Sequence, residues 1–238
     1  MSAVCKLIEG HAAVSTAAES QLDSWAALVD HPNCLLHSMA VRYESKGVDS
    51  RPLLTLMDVV GRNTTLHTIR VSAVIGQGLE AGQLVQVAHQ LVPMMSKPKL
   101  QTLELAVSSV DNGDEDDSGV SYNLAASLQP LVDTLCSCIG STAISKLVLD
   151  MELSGDQVTQ LCRALPSSSV RSLHLLHLSC AWNGLQALTA LIHHNSGSNV
   201  TGLDLSGCWA ATSSIPVSQT IQLQVIGTFC YYFSHLFD

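Results

Sequence analysis

Charge is scarce in this chain of 238 residues: Asp, Glu, Lys and Arg together supply 13% of it, about half the usual share. Basic residues are scarcest, 11 Lys and Arg against 20 Asp and Glu, which leaves a formal net charge of −9. A surface built to neutralise phosphates needs the opposite balance, so a basic nucleic-acid binder is excluded. Aromatic residues are also few, at 4%. Apolar residues nonetheless reach 47%, enough to build a core, so the shortage of charge does not signal disorder. The length suits one large core or a stack of repeated units.

Several motifs are missing as well. There is no Gly-rich loop followed by Lys and Ser or Thr to cradle phosphates, no Gly-x-Ser-x-Gly elbow and no His-Glu-x-x-His. The sequence therefore points to no reaction, no catalytic residue, no cofactor and no resident metal. Residues 1–14 carry Lys6 and Glu9 and lack an uninterrupted apolar stretch, so no cleaved secretory signal is expected and the cytoplasm is the default location. The eight cysteines are scattered singly through apolar segments, the pattern of reduced, buried thiols rather than of a disulfide framework. Two glycosylation acceptor patterns, at Asn63 and Asn199, are read as accidental for the same reason.

What the chain does have is a period. An apolar residue, two variable residues, a second apolar residue, one variable residue and a third apolar residue recur six times. The copies are Leu36, Met39 and Val41; Leu66, Ile69 and Val71; Leu100, Leu103 and Leu105; Ile144, Leu147 and Leu149; Val170, Leu173 and Leu175; and Val200, Leu203 and Leu205. A seventh, frayed copy is placed near Val4. Between the copies, apolar residues take helical spacing: Leu53, Leu54, Met57 and Val60; Leu84, Val87, Ala88 and Leu91; Leu124, Leu128, Leu131 and Leu135; Val158, Leu161 and Leu165; Leu185, Leu188 and Leu191. Strand and helix are thus expected to alternate in an α/β chain. No single unit can bury its own apolar face, so the units must stack, strands forming one parallel sheet with helices on its outer side.

These six copies resemble leucine-rich repeats of the ribonuclease-inhibitor-like type. Residues 144–165, with Leu153, Ser154, Gly155 and Asp156, and residues 170–191 are similar to repeats of nucleotide-oligomerisation-domain-like receptors. The resemblance covers residues 34–208 and implies a horseshoe-shaped solenoid that binds a protein partner on its concave sheet. The family places Asn or Cys at the ninth or tenth position of each repeat. Cys208 matches, whereas Glu44, Val74, Ser108, Glu152 and Leu178 stand at the ninth position of the other copies. The organisation expected is a capping helix or partial first repeat over 1–33, about six repeats over 34–208, and an atypical segment over 209–238.

Three stretches depart from the period. Residues 111–119 hold five acids in nine positions, an inserted loop. Asp114, Asp116, Ser118 and Gly119 match positions of a calcium loop, but position twelve is Ala125 and not the bidentate carboxylate that calcium requires, which favours a solvated acidic loop. In residues 17–29, Ala18, Leu22, Trp25, Ala26 and Val29 share one helical face. Residues 209–238 carry no Asp, Glu, Lys or Arg before Asp238, and all three phenylalanines, Phe229, Phe233 and Phe237. An irregular cap, an aberrant end of a truncated product and a membrane tail all compete as readings. Gln219, Gln222 and Gln224 and the missing basic flank argue against the membrane. Without a cap the last strand would offer an open edge, so self-association is expected unless 209–238 covers it.

Variable positions on the repeat strands would line up as columns, since side chains alternate across a strand. One column is Ala40, Arg70, Glu104, Val148, His174 and Asp204; the next is Arg42, Ser72, Ala106, Asp150, Leu176 and Ser206. Mixed charge without a basic run or an aromatic ladder suits a protein partner and not a nucleic acid. Arg42, Arg70, Glu104, Lys146, Asp150, Arg171, His174 and Asp204 are the candidate contact residues. His174 with His177, the adjacent His193 and His194, and Cys136 with Cys138 lack the convergent further ligands that zinc needs. An adaptor repeat of a ubiquitin-ligase or cytoskeletal assembly is the alternative reading; it would need a recruiting helix, for which 17–29 is the candidate.

Overall fold

The computed structural model describes residues 9–16, 24, 26–31, 34–44, 51–75, 81–109, 124–176, 179–180, 182–192, 197–205 and 209–210. Period-two segments become strands and period-3.6 segments become helices, alternating from β2 onward. The order is β1 (Glu9–Thr16), β2 (Leu35–Glu44), α1 (Arg51–Arg62), β3 (Thr68–Ile75), α2 (Ala81–Met95), β4 (Thr102–Ser109), α3 (Gln129–Cys138), β5 (Lys146–Met151), α4 (Gly155–Ala164), β6 (Ser172–Leu176), α5 (Trp182–Ile192) and β7 (Gly202–Asp204). All seven strands join one sheet in chain order, every pair parallel. Parallel neighbours need a crossover, and the helices supply it. Because the order never reverses, the sheet has no switch-point crevice of the kind that holds nucleotides in doubly wound folds.

The apolar triplets explain the pairing. Met39, Ile69, Leu103, Leu147, Leu173 and Leu203 face each other across successive strands, as do Val41, Val71, Leu105, Leu149 and Leu175. All eleven are buried. Leu66, Leu100, Ile144 and Val170, which precede their strands, are fully buried as well. Facing them come Met57 and Val60 of α1, Ala88 and Leu91 of α2, Leu131 and Leu135 of α3, Val158 and Leu161 of α4, and Leu188 and Leu191 of α5, which form one core cluster with the strand residues. The helices touch in succession, α1 to α2, α2 to α3, α3 to α4 and α4 to α5. Along β6 and β7 burial alternates strictly between buried and half-exposed residues, which shows that helices cover one side of the sheet there and leave the other open.

The structure departs from the sequence expectation in several places. The extra N-terminal strand is β1 at Glu9–Thr16, beyond the expected start near Val4, and its pairing to β2 shifts register between Gly10 and His11. The helical run from Leu124 to Leu135 is broken. A short turn of helix, Leu124–Ser127, ends at Leu128, and α3 begins anew with Pro130 in its first turn, where a missing N–H costs nothing. In 17–29 the helical residues described are Ser24 and 26–29, with Ala26 and Val29 buried; Ala18, Leu22 and Trp25 lie outside the described residues. So do the acidic insert 111–119, His177, His193, His194, Ser206, Cys208 and 211–238. Within 209–238, Trp209 and Ala210 pair in parallel with Ser179 and Cys180 as a separate two-stranded bridge. No described helix is long and apolar enough to cross a membrane.

Polar side chains tie each unit to its predecessor. Asn63, at the corner between α1 and β3, donates from its amide to the Val29 carbonyl at 3.1 Å, and its Oδ1 accepts from the Thr65 and Leu66 amides. Asn199 repeats the move by donating to the Ser168 carbonyl at 2.8 Å. Both asparagines of the acceptor patterns therefore serve corners of the fold. Lys97 lies at the next corner, 7% exposed, with its ammonium donating to the Asn63 carbonyl. Burial lowers its pKa to about 8. Among the described residues Cys34, Cys136 and Cys138 are free thiols, and burial, with a smaller effect of Asp133, pushes Cys136 up to about 11.

Ser154 and Gln157 form a capping box on α4: Gln157 N–H donates to Ser154 Oγ at 3.3 Å, and Ser154 N–H donates to Gln157 Oε1 at 2.9 Å. Gln157 is only 2% exposed. Its side-chain amide then donates to the Ala125 carbonyl at 2.6 Å and to Gln129 Oε1 at 3.1 Å, joining α4 to the preceding unit. Gln160 extends the network by donating to Asp133 at 2.8 Å. Replacing Gln157 by Ala strands the Ser154 N–H and the Ala125 carbonyl, so we expect a loss of about 1–3 kcal/mol in urea unfolding, against less than about 0.5 kcal/mol for Arg163→Ala on the exposed side of α4.

Lys97 generates a pH prediction. Its folded pKa lies below its ordinary value of 10.5, so between about 8 and 10.5 the unfolded chain binds more protons at this site than the folded one. Its contribution to stability is therefore greatest above pH 10.5 and is lost as pH falls through about 8. Cys136 acts in the opposite direction between 9 and 11, because its thiol holds its proton longer when folded. The Lys97 effect is isolated as a difference: the wild-type unfolding free energy minus that of Lys97→Met should increase from pH 7.5 to 10, and parallel curves would disprove the assignment.

Candidate functional site

The open side of the sheet carries Arg70, Glu104, Lys146, Asp150, His174 and Asp204 of the residues singled out from the sequence. Strand pairing places Ala13, Ala40, Arg70, Glu104, Val148, His174 and Asp204 in one row across all seven strands. A second row runs Ser15, Arg42, Ser72, Ala106, Asp150 and Leu176. Both rows exist because a parallel ladder without slips keeps residues of equal repeat position opposite each other. A third row, two residues nearer the strand starts, is His11, Ser38, Thr68, Thr102, Lys146, Ser172 and Gly202.

The polar residues of the first row meet in adjacent pairs. Arg70 Nε donates to Glu104 Oε2 across the β3 and β4 strands. The hydrogen bond to Glu104 raises the Arg70 pKa above its ordinary value; burial opposes it and the Coulombic pull of Glu104 adds to it. Arg70 is the exposed partner, 59% against 15% for Glu104, so the pair contributes little to stability and mainly holds the guanidinium in place. Three strands on, His174 Nδ1 lies 3.0 Å from Asp204 Oδ2. Between the two pairs sits Val148, buried to 8% exposure although it is on the open side, with half-buried Ala106 and Leu176 in the next row. The face is therefore the Arg70–Glu104 ion pair and the His174–Asp204 hydrogen bond on either side of Val148, with Ala106 and Leu176 flanking Asp150 in the next row.

The remaining candidates are spread around these residues. Lys146 is half-buried in the third row and Asp150 half-buried in the second. Arg171 is exposed just before β6, at the rim where the strands begin; its carbonyl accepts the Thr201 and Gly202 amides, both at 2.8 Å. The same fork recurs at His67, Gln101 and Ser145, each carbonyl accepting two amides of the following strand. Arg42 holds its expected place in the ladder. Along the rim, the rings of His37 and His67 lie with centroids 5.3 Å apart. Among the described residues no group of three or more His, Cys, Asp or Glu could hold a metal.

One arrangement escaped the sequence reading. Ser172 Oγ lies 3.0 Å from His174 Nε2, so hydroxyl, imidazole and carboxylate follow one another through Ser172, His174 and Asp204. Asp204 as a carboxylate can only accept, which assigns the proton of the neutral imidazole to Nδ1 and leaves Nε2 to accept from the Ser172 hydroxyl. Ser172 precedes His174 by two residues on one strand and so shares its face. The signal was present in the third row, which holds Ser172 two residues before His174 and on the same face.

No protein-family model matches the chain, and no curated protein is similar to it.

Proposed function

We propose that the chain is a leucine-rich-repeat solenoid of the ribonuclease-inhibitor-like type that binds a protein partner across the open, concave side of its sheet, in the cytoplasm. One observation carries this reading: side chains of equal repeat position stand opposite each other on up to seven consecutive strands, which makes a broad, ordered surface. The repeated fork of backbone bonds at His67, Gln101, Ser145 and Arg171 supports a common unit, as do the corner asparagines.

The chemistry of the face suits a partner of mixed character. Arg70 is neutralised by Glu104 and Asp204 is held by the His174 imidazole, while Val148, with Ala106 and Leu176 on either side of Asp150, offers apolar contact between polar groups. Arg70 and Glu104, at the centre of the row, are the residues on which a partner would depend most, since an arginine held by its own carboxylate costs little to immobilise further. Self-association through the sheet edge beyond β7, unless 209–238 covers it, stands beside this reading as a separate proposal, because an open edge can pair with a second chain.

Site-specific photo-crosslinking tests the binding reading. A crosslinker at Ser72, on the open side, should capture a defined protein from cell extract, and the same crosslinker at exposed Arg163 on α4 should not. Arg70→Ala with Glu104→Ala should reduce the Ser72 capture at least about tenfold, the loss of roughly 1.4 kcal/mol. Equal capture from the helix side, or capture indifferent to the double substitution, would refute the assignment.

A further inference from the structure

Hydroxyl, imidazole and carboxylate in series, each 3.0 Å from the next, on an accessible surface, form the relay that turns a serine into a nucleophile. We propose that Ser172 is such a nucleophile, with His174 as its general base and Asp204 as the positioning residue, and that it takes acyl groups from esters with a good leaving group. This goes beyond partner binding and does not depend on it.

The local structure sets up each part. Ser172 and His174 stand two apart on β6, so the strand itself aims both at the open side, and Asp204 reaches His174 because it is its register partner on β7. The His174 and Asp204 side chains are 25% and 36% exposed, so a substrate can approach without unfolding. Gly202 is the register partner of Ser172 on β7. A Cβ there would lie 3.5 Å from Ser172 Oγ, and its absence leaves the hydroxyl uncovered on that flank. On the other flank the partner is Lys146, a cation on the same side of the sheet.

The same geometry limits the substrate class. A strong oxyanion hole uses free backbone N–H groups. Here the Ser172 N–H donates to the Ser145 carbonyl at 3.0 Å and the Gly202 N–H to the Arg171 carbonyl at 2.8 Å, so both are committed to the sheet. Charge on the tetrahedral intermediate is then left to Lys146 and to solvent, which suffices for aryl esters and thioesters but not for amides. In the first step Ser172 Oγ bonds to the carbonyl carbon, its proton passes to His174 Nε2, the bond to the leaving group breaks, and the leaving oxygen or sulfur takes the proton from Nε2. In the second step water attacks the acyl-serine, gives a proton to Nε2, and the departing Ser172 Oγ recovers it, releasing the carboxylic acid.

A fluorophosphonate on the full chain tests this directly, since it forms a stable Oγ–P bond with loss of fluoride. The expected result is one adduct, mapped by peptide mass spectrometry to Ser172, and turnover of p-nitrophenyl acetate by the unlabelled chain. Ser172→Ala should abolish both. His174→Gln should slow both about 100-fold or more, and Asp204→Asn should slow both, with recovery in Asp204→Glu, at unchanged melting temperature. The adduct is read on the wild-type chain, so the answer does not depend on how well the variants fold. Failure to label Ser172, an adduct elsewhere alone, or a His174→Gln chain reacting at the wild-type rate would overturn the proposal, and none of these results would touch the partner-binding reading.

Discussion

The register of one parallel ladder is the constraint on which everything else in this protein rests. Side chains alternate across a strand with period two, so a slip of one residue between neighbouring strands would carry Leu103, Leu147 and Leu173 from the core to water. Burying the second residue of every apolar triplet, and the third residue of the first five, forbids that slip. The same condition, applied from β2 to β7, puts Arg70 beside Glu104 and His174 beside Asp204. The polar face is a consequence of the apolar one.

Corners and caps carry what the ladder cannot. A strand that starts beside its predecessor needs its carbonyls and amides satisfied where the helix hands over, and Asn63, Lys97 and Asn199 do this with side chains that reach back one unit. Gln157 does the same on the helix side, serving both as a cap for α4 and as a link to the unit before. Among the described residues no buried side-chain nitrogen or oxygen lacks a partner, as close packing of polar groups requires. Lys97 is the costly member: its ammonium is held at a carbonyl and buried away from water, which is why its affinity for the proton falls.

Of the two pairs on the open face only one cancels: Arg70 neutralises Glu104, whereas Asp204 beside a neutral His174 keeps its charge within the chain's formal −9. Partner choice on such a surface would turn on shape and on small apolar contacts at Val148, Ala106 and Leu176. The Ser172 relay lies at one side of Val148, near the end of the sheet, where the strands are shortest and β7 spans three residues.

The sequence by itself determined the alternation of strands and helices, the parallel order and the two rows that contain Arg70, Glu104, His174 and Asp204. These follow from apolar periodicity, because burying a one-sided pattern admits few arrangements. It did not determine where β1 begins, since Glu9 and Gly10 break the apolar triplet and the ladder there shifts register. Nor did it show the break ahead of α3, where leucine spacing continues unbroken across Leu128 while Pro130 starts a new helix. Only the tertiary structure decided which residues of different rows meet. Periodicity assigns a side chain to a face, but whether the Ser172 hydroxyl turns along β6 to the His174 ring, or Gln157 reaches back to Ala125, depends on rotamers set by neighbours far away in the chain.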